Sequence, residues 1–292
     1  MPTFKKADIA NSFSLAAKAY DQHAFIQKEI GKRLLERLAL MKATPEIILD
    51  VGAGTGFLTR QCQQKFPKSH IFGLDFAKGM IQFANSKQPW QPWKNKPSYI
   101  GGDAECLPFK NNSVDLIFSN FTFQWCENIT QVFNECKRVL KPNGMLFFST
   151  LGPSTLIELR QSWKMADSVS SHVNDFTDMH DIGDALLSTN FLAPIMDMEM
   201  LTVHYQNVQQ ILKDLKATGA HNMNEGRHKG FMPKSHFKKM LEAYEEFKQG
   251  SQYPCTFEII YGHACQQPMP VYREREDHLR IPGKITLLPN AI

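Results

Sequence analysis

Residues 49–56 read LDVGAGTG. An apolar run ending in a carboxylate, Asp50, passes directly into glycines at 52, 54 and 56, and a helical pattern begins at once. Such a stretch leaves a chain few options. The apolar, β-branched part requires a buried strand. The glycines allow a tight strand-to-helix turn and let a ligand come close to the backbone. The spacing G-x-G-x-G is neither the G-x-G-x-x-G of dinucleotide folds nor the G-x-x-x-x-G-K-[ST] of phosphate cradles. An adenosyl ligand without phosphates fits it better. A glycine-rich turn with no ligand is the alternative at this point.

The surrounding pattern sets the fold class. Short apolar runs at 46–52, 70–76 and 114–120, one at 144–150 after a KPNG turn, and a weaker one at 97–104 read as strands buried on both faces. Helical patterns separate them. In 129–140, for example, Ile129, Val132, Phe133, Cys136, Val139 and Leu140 share one face. Strand–helix alternation predicts a doubly wound α/β domain with a mostly parallel, Rossmann-like sheet. After residue 150 the pattern changes. Residues 151–192 read as helical, 193–205 as a strand, 207–217 and 233–248 as helices, and 255–265 as a last strand, giving seven strands. The expected organisation is one domain over 1–265. It has an N-terminal helical lid at 1–40, a cofactor-binding half at 45–150, and helical substrate-cap insertions at 151–192 and 219–248. The Pro-rich, charged tail, 266–292, is expected to be flexible.

Composition excludes several classes. Hydrophobic residues make up 42% and charged residues 21%, enough to bury a real core. No stretch approaches the roughly 20 apolar residues of a membrane span, and the N-terminus lacks the apolar run of a signal peptide. The six cysteines form no C-x-x-C pair, which points to reduced thiols in a cytoplasmic protein. The scattered histidines match no metal-site spacing, so no metal is expected.

Three further stretches sit at strand ends, where ligands of open α/β sheets bind. GLDF (73–76) places Asp75, with Phe76 after it, to accept hydrogen bonds from two ribose hydroxyls. GDAECLPF (102–109) offers Asp103 to an adenine amino group and the Ala104 backbone beside it. SNFTFQW (119–125) brings Asn120 to the border of a methionine moiety. In this order, LDVGAGTG, LDF, GDAECLP and DLIFSN resemble the class I S-adenosylmethionine-dependent methyltransferases. The resemblance covers about residues 45–150. It implies S-adenosylmethionine as cofactor, with Asp50, Gly52, Ala53, Gly54, Gly56, Asp75, Phe76, Asp103, Ala104 and Asn120 around it.

The outer segments narrow this. FSLAAKAYDQHAFIQKEIGKRLL (13–35), QW (124–125), FSTLGPSTLIELRQSW (148–163), HVNDF (172–176), LKATGAHN (215–222) and TFEIIYGHA (256–264) resemble the malonyl-[acyl-carrier protein] O-methyltransferases of biotin synthesis (BioC type). That likeness implies methylation of the free carboxylate of a malonyl thioester, carried on the phosphopantetheine of acyl-carrier protein, as a step towards pimelate. A carboxylate acceptor is already ionised at neutral pH, so no general base is required. Alignment and exclusion of water suffice.

Candidates around the acceptor carry two readings each. Tyr20 shares a helical face with Phe13, Ala16 and Ala17; it either packs the helix on the sheet or closes a lid over the methyl group. Arg160 is a surface-paired helical residue or the two-pronged partner of the malonyl carboxylate. His172 and Asn174 line the acceptor pocket or cap a helix. Trp125 walls the pocket or packs the core.

Residues 226–240, GRHKGFMPKSHFKKM, carry five positive charges in a chain whose formal net charge is +4. Arg227, Lys229, Lys234 and Lys238 form either a solvated face or a docking surface for an acidic carrier protein. Another small-molecule methyltransferase, acting on a quinone ring or a free carboxylic acid, or a non-catalytic S-adenosylmethionine-binding protein, remains open. Nucleic acid is not expected as a partner. No aromatic-interleaved basic stripe is present, and SNFTF stands where a target-base tetrapeptide of the N/D-P-P-Y/F type would lie.

Overall fold

The computed structural model describes residues 5–40, 44–88, 95–219, 222–223 and 233–266, with side chains not described at 39 and 40. Seven strands form one sheet in the order β3-β2-β1-β4-β5-β7-β6. They are β1 (Ile47–Val51), β2 (His70–Asp75), β3 (Ser98–Gly101), β4 (Val114–Asn120), β5 (Leu140–Leu151), β6 (Leu192–Tyr205) and β7 (Tyr253–Cys265). The first five pair in parallel, and β7 runs antiparallel between β5 and β6. This is the doubly wound, mostly parallel arrangement that the strand–helix alternation requires.

Burial follows the pleat. Ile48, Leu116, Phe118 and Phe147 belong to one apolar cluster, Leu49, Val51, Ile117, Leu146 and Phe148 to the other. Side chains on alternate positions therefore feed opposite faces, and both faces are covered. On the first, the cluster takes in α2 (Phe25–Leu40), α3 (Phe57–Lys65), α6 (Ile157–Ala166), α8 (Val208–Ala217) and α9 (Lys234–Tyr244). On the second it takes in α5 (Ile129–Val139) and α7 (Met179–Ser188). Helix α5 shows how such a helix is specified. The Asn128 side chain accepts from the Gln131 N–H at its start, Val132, Phe133, Cys136 and Val139 are buried, and Lys137 and Arg138 lie in its last turn.

The KPNG turn is absorbed into β5. Leu140 pairs with Val114 and Met145 with Leu116, so the register shifts across residues 141–144. Asn143 takes φ 64° there, the left-handed conformation Asn tolerates best after Gly. The N-terminal helix α1 (Lys6–His23) packs on α4 (Lys78–Ser86), beside the carboxyl ends of β1 and β2. Among the described residues, no helix is long and apolar enough to cross a membrane, and no group of three or more His, Cys, Asp or Glu could hold a metal ion.

Candidate active site

The three glycines after β1 all adopt positive φ: 80° at Gly52, 55° at Gly54 and 73° at Gly56. The N–H groups of Gly52 and Ala53 donate to the Leu74 carbonyl at 2.7 and 2.9 Å, pinning the turn to the end of β2. A Cβ at Gly52 would lie 1.9 Å from Thr122 Oγ1, and one at Gly56 2.2 Å from the Tyr99 hydroxyl. At Gly54 it would meet nothing within 4 Å. Two of these glycines thus permit packing, while the third borders open space.

Asp75 closes the turn from the other side. Its Oδ2 accepts from the Gly54 N–H and its Oδ1 from the Ala77 N–H, both at 2.8 Å. It holds the glycine turn and the start of α4 in one geometry. Asp50 lies beneath, 2% exposed, and accepts from the Thr59 hydroxyl at 2.5 Å. Burial pushes Asp50 up to about 7; the Thr59 hydrogen bond opposes this and the Asp75 charge adds to it. Burial likewise pushes Asp75 up to about 6, against the Ala77 and Gly54 N–H groups. Two crowded carboxylates under one turn make the site a natural place for a cation.

A cleft of about 880 Å³ opens over these residues, lined among others by Tyr20, Gly54, Asp75, Phe76, Asn120 and Trp125. It adjoins two smaller hollows. One, of about 360 Å³, shares Gly52, Asp75, Phe76 and Trp125 and reaches Asp103 and Ala104. The other, of about 430 Å³, shares Tyr20, Gly52, Gly54 and Asn120 and reaches Asp50 and Ala53. Together they form a trough across the carboxyl ends of β1, β2 and β4. All ten residues assigned to the cofactor on the sequence fall here except Gly56, which is turned against Tyr99. S-adenosylmethionine, with a charged sulfonium and ammonium, suits a trough with an open glycine cradle and two acidic residues. Asp50, Asp75 and Asn120 lie along it, and Asp103 and Ala104 at its other end.

Two of these residues are engaged more deeply than the sequence suggests. Asn120 donates to the Gln27 carbonyl at 2.9 Å and accepts from the Ser149 hydroxyl at 2.8 Å, tying β4 to α2 and β5. Asp103 pairs with Lys6 at 2.6 Å and accepts from the Glu105 N–H at 3.0 Å. Lys6 also pairs with Glu105.

The cover comes from elsewhere in the chain. Tyr20 faces the cleft from α1, and burial together with the Asp75 and Asp21 charges holds its hydroxyl in the protonated, donating form. Asp21 accepts from the Thr55 hydroxyl at 2.7 Å, and Ser14 from the Gly79 N–H at 3.1 Å, so α1 is tied to the glycine turn and to α4. Lys6 lies outside every quoted motif, and Ser14 and Asp21, though within the 13–35 segment, had no role assigned to them from the sequence. Only their alignment along α1, which passes over the sheet end, gives them this role.

Around the acceptor end the structure divides the sequence candidates. Trp125, 8% exposed, sits edge-on to Phe13 with ring centroids 5.4 Å apart and lines the cleft. Asn174 lines it too, and its Oδ1 accepts from the Met223 N–H at 2.8 Å. Arg160 and His172 line none of the hollows described above. The Arg160 guanidinium instead binds Asp175 at 2.9 Å and the Asn174 carbonyl at 2.8 Å, because α6 turns it toward the following loop. His172 stacks on Trp163 at 4.0 Å and binds Asp167 at 2.9 Å. This hydrogen bond, with the backbone N–H of Val169, holds the Asp167 carboxyl well below the usual carboxylate range. Both residues brace the loop that carries Asn174 rather than face the cleft. Gln124, Phe176 and Phe257 line it too; they fall in the QW, HVNDF and TFEIIYGHA segments, but no pocket role was assigned to them from the sequence.

Of the basic window, Lys234 and Lys238 are exposed on α9, and Lys238 lies 3.6 Å from Glu242. Arg227 and Lys229 fall outside the described residues.

Fold and trough define a methyltransferase. Residues 49–148 match the methyltransferase domain family. The YcgJ protein of Bacillus subtilis, 19% identical, shares the fold with a TM-score of 0.56 over 81% of this chain and 98% of that one. The malonyl-[acyl-carrier protein] O-methyltransferase of Gallionella capsiferriformans is 44% identical over 275 residues, covering 92% of this chain and 93% of the relative. Malonyl-[acyl-carrier protein] O-methyltransferase 1 of Coxiella burnetii is 43% identical over 257 residues, covering 88% and 86%. The chain belongs to the malonyl-[acyl-carrier protein] O-methyltransferase family.

Proposed function

We propose that this protein transfers a methyl group from S-adenosylmethionine to the free carboxylate of a malonyl thioester carried on the phosphopantetheine of acyl-carrier protein. The product, a malonyl methyl ester, would prime pimeloyl synthesis for biotin. The observation that carries the reading is identity of 44% over 92% of the chain to a protein of that activity. The match extends well beyond the cofactor half into the segments that cover the acceptor.

The cofactor, when bound, supplies a methyl group already activated by a positively charged sulfur. The protein's residues bind, orient and exclude water. Asp75 and the Gly54 backbone hold the ribose side, Phe76, Asp103 and Ala104 the adenine side, and Asp50 and Asn120 the methionine side. Tyr20, Trp125 and Asn174 close the acceptor end. Arg160 is a positioning residue, setting the Asn174–Asp175 loop. The bond formed joins a carboxylate oxygen to the methyl carbon. The bond broken is carbon to sulfur, and its electron pair stays on sulfur. One positive and one negative charge disappear and no proton moves, so the step needs no general base. A low-dielectric site favours a step that neutralises charge.

Lys234 and Lys238 of α9, with Arg227 and Lys229 from the sequence, form the proposed docking face for the acidic carrier, acting mainly on encounter rate. The reaction is assigned to the cytoplasm, in keeping with six unpaired cysteines. The deciding experiment is mass spectrometry of malonyl-carrier protein incubated with protein and cofactor. A gain of one methylene, lost on ester hydrolysis, is expected. Cofactor binding without any such gain would leave a different acceptor or a non-catalytic binder.

A further inference from the structure

A carboxylate entering the cleft is an acceptor only and must find donors there. The threonines that line the cleft have already spent theirs. Thr122 Oγ1 donates to the Asn120 carbonyl at 3.4 Å, Thr155 Oγ1 to the Glu258 carbonyl at 3.3 Å and Thr218 Oγ1 to the Asp214 carbonyl at 3.1 Å, while Asn120 Nδ2 gives one of its two N–H groups to the Gln27 carbonyl at 2.9 Å. Among the described lining residues there is no Lys, Arg or His, and the only ionisable carboxyl is Asp75, on the cofactor side. Arg160, the obvious cation, is committed to Asn174 and Asp175.

Tyr20, Gln27 and Gln124 keep donors, and of these Gln124 is the amide whose oxygen is held by a neighbouring side chain. It lies on the short 3-10 turn Phe123–Trp125, which the Trp125 N–H to Thr122 carbonyl bond closes at 2.9 Å. The residue is half-buried, and it lines both the main cleft and a neighbouring hollow of about 490 Å³. The Thr150 hydroxyl donates to Gln124 Oε1 at 3.1 Å. That bond occupies the acceptor end of the amide and leaves the two N–H groups of Nε2 without a partner among the described residues. An oriented amide donor on a rigid turn, fixed from behind by the sheet, is thereby presented to the cleft wall between the cofactor side and Asn174.

We propose that the Gln124 amide is the donor that binds the malonyl carboxylate and sets the preference for an acidic acyl group, with Thr150 as the residue that orients it. This rests on the function proposed above. A neutral donor suits the chemistry better than a guanidinium. It aligns the carboxylate without cancelling the charge that must attack, so the carboxylate's countercharge remains the cationic methyl donor.

The test compares binding of malonyl-carrier protein with acetyl-carrier protein, which lacks the carboxylate, in the presence of the product S-adenosylhomocysteine. Gln124→Leu should weaken malonyl binding by roughly ten- to a hundredfold, the range of a lost hydrogen bond to a charged group. Acetyl binding and S-adenosylhomocysteine binding should stay unchanged. Thr150→Val should weaken malonyl binding by a smaller factor in the same direction, and Gln124→Asn should recover part of the loss. If Gln124→Leu keeps the malonyl preference, or loses both ligands equally, the assignment is overturned. So it is if the preference disappears in Arg227→Ala and persists in Gln124→Leu, which would give the role to a cation of the 220–232 segment. Wild-type protein that methylates no malonyl-carrier protein would instead refute the proposed function itself, so the two failures are separable.

Discussion

The two sides of the cleft are held by different kinds of bond. On the sheet side, the glycine turn is fixed by backbone N–H groups: Gly52 and Ala53 to the Leu74 carbonyl, and Gly54 and Ala77 to the Asp75 carboxylate. On the covering side, segments distant in the chain meet through side chains: Lys6 with Asp103, Asp21 with Thr55, Ser14 with Gly79, and Arg160 with Asn174 and Asp175. The first set ties the ends of neighbouring parallel strands to their own turns. The second can be broken without disturbing the sheet. A site that must admit a cofactor and then exclude water needs this division: a rigid floor and a cover whose contacts are individually weak.

The largest effect should come from attacking the floor. Gly52→Ala places a methyl group against the Thr122 side chain at a φ of 80° and should cost about 3 kcal/mol of stability. Gly54→Ala meets no atom and should cost only about 1 kcal/mol while weakening cofactor binding strongly. Thermal unfolding beside a cofactor titration separates them; similar losses in both measurements for the two variants would dissolve the distinction between packing glycine and cradle glycine.

The floor also carries a pH signature. Asp50 is raised from 3.8 to about 7 in the folded protein, so the folded state binds its proton more tightly than the unfolded chain does. The corresponding stability is present in acid and is lost as pH rises from about 4 to about 7. Asp50→Asn should therefore gain stability relative to wild type across that window, by on the order of 1–3 kcal/mol, and the difference should level off above it. A flat difference from pH 4 to 8 would show that Asp50 titrates normally. Asp75, raised to about 6 by burial, must be ionised to attract the cationic cofactor, so cofactor affinity should climb as pH passes through that value.

Breaking the cover should do less to stability and more to the acceptor. Arg160→Ala releases the Asn174–Asp175 loop and should raise the KM for the malonyl carrier severalfold, leaving cofactor affinity intact. Equal loss of both would make the brace part of the floor. Charge reversal of Lys234 and Lys238 should slow reaction with the carrier protein by roughly two- to tenfold at low salt and spare a small malonyl thioester. Smallest of all, Lys6→Ala removes a half-exposed ion pair and should cost under about 1 kcal/mol, with faster cofactor release as its measurable trace.

The strands of the sheet and the trough residues Asp50, Gly52, Gly54, Asp75, Asp103 and Asn120 were legible in the sequence because each is a local event, whereas the order of the strands came only with the fold. A buried strand ends and a turn residue follows at the same place, so the motif and the site coincide. The acceptor side was not legible in the same way. Arg160 and His172 have the chemistry of ligands yet point to neighbouring loops, while Gln124, one half of the QW pair, reaches the cleft with its amide oriented by Thr150.

By itself, then, the sequence determined the class of fold, the kind of cofactor and the residues that line the trough at the strand ends, because strand ends place their side chains through backbone geometry alone. The tertiary structure decided which side chains from α1, the 3-10 turn and the loop after α6 face the cleft. Those directions depend on how helices far apart in the chain pack across the sheet, and no spacing within one segment records that.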